Sequence, residues 1–322
     1  MRQMDMTKSE FGKEPTRRHL LGCGGAAAAT LAACGAGAGE AEPQWTRAVN
    51  GRIRQSVCLW CYESSEWAWD LDTLAQHAAS LGIQSVELLA PEQWPTVKKH
   101  GLECAIAGNG MPAPPFTKGL NNPRYQEEVV AVTKKTMDAC AEHGVPSIIA
   151  FTGYKWKDPD DPQSGEISLE EGARNTVEGL RELAAYGEEK EVTVCLEMLN
   201  TRDDTHPMKG HPGYQGDDID YCADIIAEVG SPRAKLLFDI YHVQIMNGDV
   251  IRRIGELRDL IGHVHTAGNP GRNELHLRQE IHYPSVMEAL VDIGYEGYVG
   301  QEFIPTRDPL DSLAQAVRLC DV

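Results

Sequence analysis

Four side chains that bind metal ions or transfer protons stand at the ends of short apolar runs in this chain. They are Glu197, Asp239, His265 and Glu302. Three carboxylates and one imidazole form a donor set that suits Mg²⁺ or Mn²⁺, with Co²⁺ or Zn²⁺ as alternatives, because the set contains no soft thiolate. Any one of these residues alone would more often be structural, whereas four of them at matching positions predict a shared divalent metal site.

Such a donor set suits the movement of a proton between adjacent carbons of a hydroxy-carbonyl compound. This reaction passes through an enediolate, whose negative charge a divalent cation stabilises as a Lewis acid. Two carboxylates on opposite sides of the substrate can remove the proton and return it. Glu197 and Glu302 are therefore predicted to serve both as metal ligands and as the catalytic, proton-transferring pair.

These residues can converge only if their apolar runs are neighbouring strands, which lie about 4.8 Å apart in a sheet. Between residues 235 and 265, a run ending at Phe238 is followed by apolar residues at helical spacing and by a second run ending at His265. The strand-then-helix pattern occurs eight times in about 270 residues, which is the size of a (β/α)8 TIM barrel of the α/β class. A doubly wound sheet is the nearest competitor, but no glycine-rich fingerprint follows the first strand.

The repeating pattern assigns bounds to each element of the barrel. The predicted strands span residues 53–60, 84–89, 102–107, 146–151, 192–197, 235–238, 261–265 and 298–302. The predicted helices span residues 71–81, 91–100, 123–143, 169–189, 217–229, 249–254, 284–293 and 309–319. Long polar connections at residues 152–168, 198–216 and 266–283 follow strand ends and would gather over one mouth of the barrel, where they could cover a small substrate.

Composition narrows the classes of partner. The chain has 322 residues, of which 42% are hydrophobic and 24% charged, as expected for a globular protein with a substantial core. Its formal net charge is −18, and no basic cluster occurs in the body of the chain. These features argue against a nucleic-acid partner and against adsorption on anionic membrane surfaces.

The amino terminus differs from the rest of the chain. Arg17 and Arg18 precede an apolar, Ala/Gly-rich run, which resembles a twin-arginine export signal, and Cys34 ends a segment that resembles a bacterial lipobox. We therefore expect a leader at residues 1–34, a linker at 35–50 and the barrel at 51–322. The protein is expected to be periplasmic or lipid-anchored at the cell envelope, and its only membrane contact would be the lipid on Cys34.

Other residues at strand ends and in loops are candidates for substrate contacts. Glu87 ends the second predicted strand and Asn109 follows the third, so both are predicted to reach the mouth. His206 and His211 lie in the fifth loop, where a histidine binds a ligand less often than it is simply solvated. Trp60 could line an apolar side of the pocket, although core packing is the commoner role of tryptophan.

Several segments resemble the hydroxypyruvate isomerase family, which belongs to the xylose isomerase-like TIM barrels together with the ketose 3-epimerases. The resemblance covers about residues 53–319 and is strongest in CLEMLN, FDIYHVQ, HVHTAGNPGR and GQEF, which begin at residues 195, 238, 263 and 300. It implies that Glu197 and Glu302 transfer the proton and bind the metal, and that Asp239 is a carboxylate ligand. His265 falls where hydroxypyruvate isomerases have Gln and the epimerases have His.

The same resemblance implies a set of substrate contacts. His242 and Arg272 match positions that contact substrate oxygens in the relatives, and Asp203 stands where the epimerases place a substrate-contacting Glu. Residues 273–284 depart from the family's glycine-rich stretch. The implied substrate is a small sugar or hydroxy acid, and because these barrels often associate, a homo-oligomer is also expected. No glycine-rich phosphate cradle follows the last two strands, which favours an unphosphorylated substrate.

Three other functions remain open at this point. A polyol dehydratase or lyase would use the same metal and base to eliminate water. A zinc phosphodiesterase of the endonuclease IV kind would need more metal ligands and a basic groove, which the net charge of −18 opposes. A non-catalytic, exported sugar-binding protein would be expected to have a damaged site, whereas both glutamates and all four ligands are present.

Overall fold

The computed structural model describes residues 47–63 and 66–322. The predicted leader at residues 1–34, including Cys34, and most of the predicted linker lie outside the described residues, so export and lipidation stay predictions. Within the described ranges, no helix combines the length and the apolar character that crossing a membrane requires.

Parallel strands form the centre of the fold. They are β1 (Arg54–Cys58), β2 (Ser85–Glu87), β3 (Ser147–Phe151), β6 (Thr193–Glu197), β7 (Ala234–Asp239), β8 (Ile261–Thr266) and β9 (Tyr298–Gln301). Their hydrogen-bonded order is β2–β1–β9–β8–β7–β6–β3. This order runs around a barrel in chain sequence, because the first and last strands of the chain are neighbours.

The segment 103–107 closes the barrel between its two edge strands. Isolated bridges join it to β2, between Ser85 and Glu103, and to β3, between Ala107 and Ile148. The predicted third strand therefore occupies its expected place, but it is not a regular strand. One reason is that Ala105 N donates to the side chain Ser85 Oγ at 2.8 Å instead of to a backbone carbonyl. With this segment counted, the predicted (β/α)8 TIM barrel is confirmed.

Helices surround the described part of the barrel. They are α1 (Trp60–Glu63), α2 (Leu71–Leu81), α3 (Trp94–Lys99), α4 (Pro123–His143), α5 (Leu169–Lys190), α6 (Ile219–Val229), α7 (Ile240–Met246), α8 (Val250–Glu256), α9 (Tyr283–Asp292) and α10 (Pro309–Cys320). The bounds predicted for α2 and α4 are confirmed, because local caps fix them. Asp70 and Asn122 accept hydrogen bonds from the first turns, and Gly82 and Gly144 end the helices in the left-handed conformation.

Three features of the connecting segments were not predicted, and the first is the short helix α1, which follows β1. The connection at residues 152–168 contains an antiparallel hairpin of β4 (Trp156–Asp158) and β5 (Asp161–Glu166). The segment after β7 forms α7, which begins directly after Asp239 because that carboxylate accepts from Tyr241 N at 2.8 Å and His242 N at 3.2 Å. The last residue of a strand is therefore also the cap of the next helix.

The buried apolar residues form two clusters. The larger one packs the helices against the sheet. The smaller one lies around the ends of the strands β3, β6 and β7 and contains Ile106, Phe116, Ile149, Phe151, Cys195, Leu199, Tyr214 and Leu237. Part of this smaller cluster forms one wall of the cavity described below.

Candidate active site

The four predicted metal ligands converge at the carboxyl ends of β6 to β9. The register of β7 and β8 pairs Asp239 with His265, and Glu302 follows the last residue of β9. One ligand atom of each of the four residues lies within 4.8 Å of the others, and all four residues are buried. His265 Nδ1 is 3.5 Å from Glu197 Oε1 and 3.0 Å from Glu302 Oε2. Among the described residues, this is the group that combines three carboxylates with an imidazole.

Three atoms of this group are buried and have no hydrogen-bond partner in residues 47–63 and 66–322. They are Glu197 Oε1, Asp239 Oδ2 and His265 Nδ1. A buried polar atom without a partner is costly, so several of them in one cluster require an explanation. A divalent cation would provide this explanation, because carboxylate oxygens and imidazole nitrogens are its usual ligands and each of these atoms would gain a bond to the ion. The donor set therefore fits a bound metal ion.

The charges of the group also fit a cation. Burial raises the pKa of Glu197 to about 7 and the pKa of Asp239 to about 6. Burial acts in the same direction on Glu302, but Arg272 and His265 outweigh it and hold the pKa of Glu302 well below its ordinary value. Burial lowers the pKa of His265, but Glu302 and other neighbours outweigh it and raise that pKa well above its ordinary value. Carboxylates are in excess here, and a metal ion would displace the proton of His265.

A second layer of residues orients His265. Glu87 Oε1 lies 2.9 Å from His265 Nε2, 3.2 Å from His263 Nε2 and 3.4 Å from Cys58 Sγ. Burial raises the pKa of Glu87, but the two histidines outweigh it and hold that pKa below its ordinary value, so the carboxylate accepts the N–H of His265 Nε2. This hydrogen bond leaves His265 Nδ1 for the metal site. Gly300 makes room for the arrangement, since a Cβ there would lie 1.9 Å from Glu87 Oε1.

Arg272 and Trp60 hold the carboxylate of Glu302 in place. Arg272 is 2% exposed and adopts a positive φ of 53°. Its Nη2 donates to Glu302 Oε2, and its Nη1 donates to the carbonyl oxygen of Met208 at 2.7 Å. Trp60 Nε1 donates to Glu302 Oε1 at 2.9 Å. Both oxygens of Glu302 are therefore held by donors, which restricts the rotation of this carboxylate.

His242 carries a hydrogen-bond donor that nothing in the described structure uses. Its Nδ1 accepts from Asn200 N at 3.0 Å, so the ring proton is on Nε2, and Nε2 has no hydrogen-bond partner. Burial, together with Arg272, lowers the pKa of His242 well below its ordinary value, so the ring is neutral. His242 Nε2 lies 3.6 Å from Asp239 Oδ2, next to the metal ligands.

A cavity of about 520 Å³ opens onto the two glutamates. Of the predicted site residues, Glu197, Glu302, Arg272 and Asn109 line it. The other predicted substrate contacts lie elsewhere. Glu87 is fully buried, with its Oε1 2.9 Å from His265 Nε2, and His242 Nε2 lies 3.6 Å from Asp239 Oδ2. The carboxylate of Asp203 accepts hydrogen bonds from Thr205 in its own loop and from the hydroxyl of Tyr241.

The cavity also contains residues that the sequence analysis weighed only weakly or not at all. His211 is buried, and its ring lies 4.3 Å from that of Phe116. Burial, together with Arg272, lowers the pKa of His211 to about 3, so this imidazole is neutral. His206, the other histidine of the same loop, is exposed. Trp60 lines the cavity and also binds Glu302, so it is more than a packing residue.

A family model described as xylose isomerase-like TIM barrel matches residues 75–321. A 2-oxo-tetronate isomerase from Cupriavidus necator is 40% identical over 116 residues, which are 35% of this chain and 41% of that protein. The hydroxypyruvate isomerase of Escherichia coli is 30% identical over 139 residues, which are 43% of this chain and 51% of that protein. The chain spans about half the length of the curated relatives it matches.

Solved structures support the fold independently. The crystal structure of a family 2 AP endonuclease from Brucella melitensis superposes with a TM-score of 0.69 at 21% sequence identity. The match covers 82% of this chain and 98% of that structure. At such low identity the likeness establishes the shared barrel and carries no information on the reaction.

Proposed function

The chain belongs to the xylose isomerase-like TIM barrel family, and from this membership we propose that it is a divalent-metal-dependent isomerase or epimerase of small hydroxy-carbonyl compounds. One observation carries the proposal. Glu197, Asp239, His265 and Glu302 converge in a buried group whose ligand atoms lie within 4.8 Å of one another, beside a cavity that a small molecule can enter.

The same four residues would hold the metal ion. Three of them carry buried atoms that have no hydrogen-bond partner among the described residues. When bound, a divalent ion supplies Lewis-acid stabilisation for the negative charge that develops on the substrate oxygens. Mg²⁺ and Mn²⁺ fit a carboxylate-rich set best, and Co²⁺ and Zn²⁺ are the alternatives.

Glu197 and Glu302 are the proposed proton-transferring pair. Glu197 ends β6 and Glu302 follows β9, so two strands lie between them and their carboxyl groups line different parts of the cavity. One carboxylate takes the proton from the carbon next to the carbonyl. In one outcome a carboxyl group returns a proton to the neighbouring carbon, which was the carbonyl carbon, while the hydroxyl proton passes to the former carbonyl oxygen. In the other outcome it returns a proton to the opposite face of the same carbon. The first outcome is an isomerisation and the second an epimerisation.

Three further residues prepare the site for this transfer. Arg272 and Trp60 each donate to one oxygen of Glu302 and thereby fix the direction in which this carboxylate faces. His242 presents a neutral N–H 3.6 Å from Asp239 Oδ2, where it can help to orient this ligand. Donors of this kind are fixed before the reaction and do not have to reorganise during it.

Replacement of Glu87 by Gln should weaken metal binding by about 10- to 100-fold, which is the usual cost of losing the partner of a metal-bound histidine. Glutamine keeps the volume of Glu87 but not the negative charge that accepts from His265 Nε2 at 2.9 Å. The dissociation constant for Mn²⁺, measured by calorimetry, checks the prediction. Glu92→Gln, at an exposed position, is the matched control. Equal Mn²⁺ affinity in Glu87→Gln and the control would show that Glu87 does not orient the ligand.

Two of the competing functions fit the site less well. A phosphodiesterase acting on DNA needs a basic groove, whereas Arg272 is the only arginine or lysine among the described residues that line the cavity. A binding protein that had lost its activity would not need a complete group of ligands and two carboxylates. A dehydratase could use the same four metal ligands, but its product would be lighter than the substrate by one water molecule, whereas an isomerase or epimerase leaves the mass unchanged.

The proposed function is tested by incubating the Mn²⁺-loaded protein with hydroxypyruvate and a panel of ketoses and by following the products with NMR. We expect conversion of at least one compound into an isomer or epimer of the same mass, and we expect EDTA to abolish it. A product lighter by one water would identify a dehydratase. No conversion of any compound, with metal binding intact, would contradict the proposal.

A further inference from the structure

The cavity beside the metal ligands is larger than the smallest substrate of this reaction class requires. Its volume of about 520 Å³ equals roughly 17 water molecules at about 30 Å³ each. Hydroxypyruvate has seven non-hydrogen atoms and would fill less than half of this space. The remainder would have to hold water or another part of the substrate.

The surplus volume is enclosed mainly by apolar side chains. They are Met111, Phe116, Ile149, Phe151, Leu199 and Met208. The rings of Phe116 and Phe151 lie 6.2 Å apart in an edge-to-face arrangement, and the ring of His211 lies 4.3 Å from that of Phe116. Walls of this kind make few hydrogen bonds to water, so they favour an apolar occupant.

The charged groups of the cavity are already paired with one another. Arg272 is the only arginine or lysine in the described lining, and its Nη2 and Nη1 already donate to Glu302 and to the carbonyl oxygen of Met208, whereas its Nε has no hydrogen-bond partner among the described residues. Arg272 Nη2 pairs with Glu302 Oε2 and also lies 3.6 Å from Asp239 Oδ2, so two carboxylates already share its charge. His211 is buried and neutral. A carboxylate or phosphate on the substrate would therefore lose water in this cavity without gaining an unpaired cation.

We propose that the substrate is an uncharged hydroxy ketone that carries an apolar group about the size of an aromatic ring. The hydroxy-ketone end lies at the two glutamates and the metal ligands, and the apolar group packs against Phe116, Phe151 and Met208. The inference rests on the proposed function for the identity of the reacting end of the substrate. The size and the polarity of the rest of the substrate follow from the volume and the lining of the cavity.

A matched series of ligands tests the inference directly. Dihydroxyacetone, its mono-benzyl ether and its phosphate share one hydroxy-ketone end and differ only in the opposite substituent. We expect the Mn²⁺-loaded protein to bind the benzyl ether at least tenfold more tightly than dihydroxyacetone, and to bind the phosphate and hydroxypyruvate no more tightly than dihydroxyacetone. Dissociation constants from calorimetry give these ratios. A benzyl ether that binds less than threefold more tightly, or an anion that binds best, overturns the inference.

Variants locate the apolar group. Phe116→Ala should reduce the affinity ratio of benzyl ether to dihydroxyacetone at least fivefold, whereas Leu277→Ala, at a side chain that is 71% exposed outside the cavity, should not change it. An unchanged ratio in a folded Phe116→Ala protein would place the group elsewhere and overturn the assignment. If Phe116→Ala does not fold, the ligand series on the unmodified protein decides alone.

The same samples separate this inference from the proposed function. Exchange of the carbon-bound protons of the three ketones with solvent deuterium reports on the reaction, and the affinity ratios report on the cavity. Tight binding of the benzyl ether without exchange would contradict the proposed function alone. Exchange combined with preferred binding of the phosphate would contradict the inference alone.

Discussion

Glu302→Gln should reduce the turnover number by about a thousandfold, within the 10²- to 10⁴-fold range of general acid–base catalysis. Glutamine matches the size of the glutamate and can still accept from Trp60 Nε1, which lies 2.9 Å from Glu302 Oε1. It cannot take up a proton at neutral pH. Glu197→Gln should cause a loss of similar size, because the reaction needs both a group that removes the proton and a group that returns it.

The loss of a proton acceptor has to be distinguished from the loss of metal and of stability. Turnover is therefore measured at saturating Mn²⁺, with the metal dissociation constant determined for each variant. Glu274→Gln is a matched control, since Glu274 is also a buried glutamate paired with an arginine, Arg307, but it lies outside the metal group. We expect the control to retain its turnover. A Glu302→Gln protein with a tenth or more of the normal turnover would exclude Glu302 as a proton-transferring group.

Asp239→Asn should abolish most of the stabilisation that a divalent ion gives to the protein. A ligand at 100 times its dissociation constant stabilises the folded state by about 2.7 kcal/mol. For a domain of this size, that corresponds to a rise in melting temperature of roughly 5 °C. The variant should show little of this rise, because Asp239 Oδ2 is one of the buried atoms without a partner that the ion would satisfy.

The substitution is chosen so that it spares the helix that Asp239 caps. Asn is as good a helix cap as Asp, and the oxygen of its amide can still accept from Tyr241 N and His242 N at the start of α7. Asp218→Asn is the control, because Asp218 caps α6 in the same way and takes no part in the metal group. The melting temperature with Mn²⁺ and with EDTA checks the prediction. An equal metal-induced rise in both variants would contradict the assignment of Asp239 as a ligand.

The barrel and its four convergent residues could be predicted from sequence because the relevant signals are local. Apolar runs and helical spacing identify the strands and helices, and caps such as Asp70 and Gly82 fix helix ends. The parallel topology then places the end of each strand on the same side of the barrel. Glu197, Asp239, His265 and Glu302 follow from that rule without any knowledge of loop conformation.

The position of Glu87 could not be read in the same way, because β2 is only three residues long and shows no clear alternation. The sequence nevertheless contained a signal that was missed. His263 and His265 are two residues apart in a strand, so their side chains lie on the same side of it. Two neighbouring histidines inside a barrel need a hydrogen-bond acceptor. Glu87 Oε1 lies 3.2 Å from His263 Nε2 and 2.9 Å from His265 Nε2.

Loop residues account for most of what the sequence did not reveal. Phe116 and Met208 reach the cavity from long connections that have no hydrophobic period, so nothing in the sequence indicates which way their side chains face. Asp203 shows the opposite case. The resemblance to the epimerases implied that Asp203 contacts the substrate, but a local turn directs its carboxylate to Thr205. The position of a residue along a loop does not fix the direction in which its side chain points.

The fate of the transferred hydrogen tests the central claim most directly. The Mn²⁺-loaded protein is incubated in deuterated water with a compound that it converts, and the product is examined by mass spectrometry and NMR before equilibrium is reached. Transfer by Glu197 and Glu302 predicts solvent deuterium at the carbon that receives the proton, and no such incorporation in Glu302→Gln. A product free of deuterium, formed at the normal rate, would indicate direct hydride transfer between the carbons and would contradict the account.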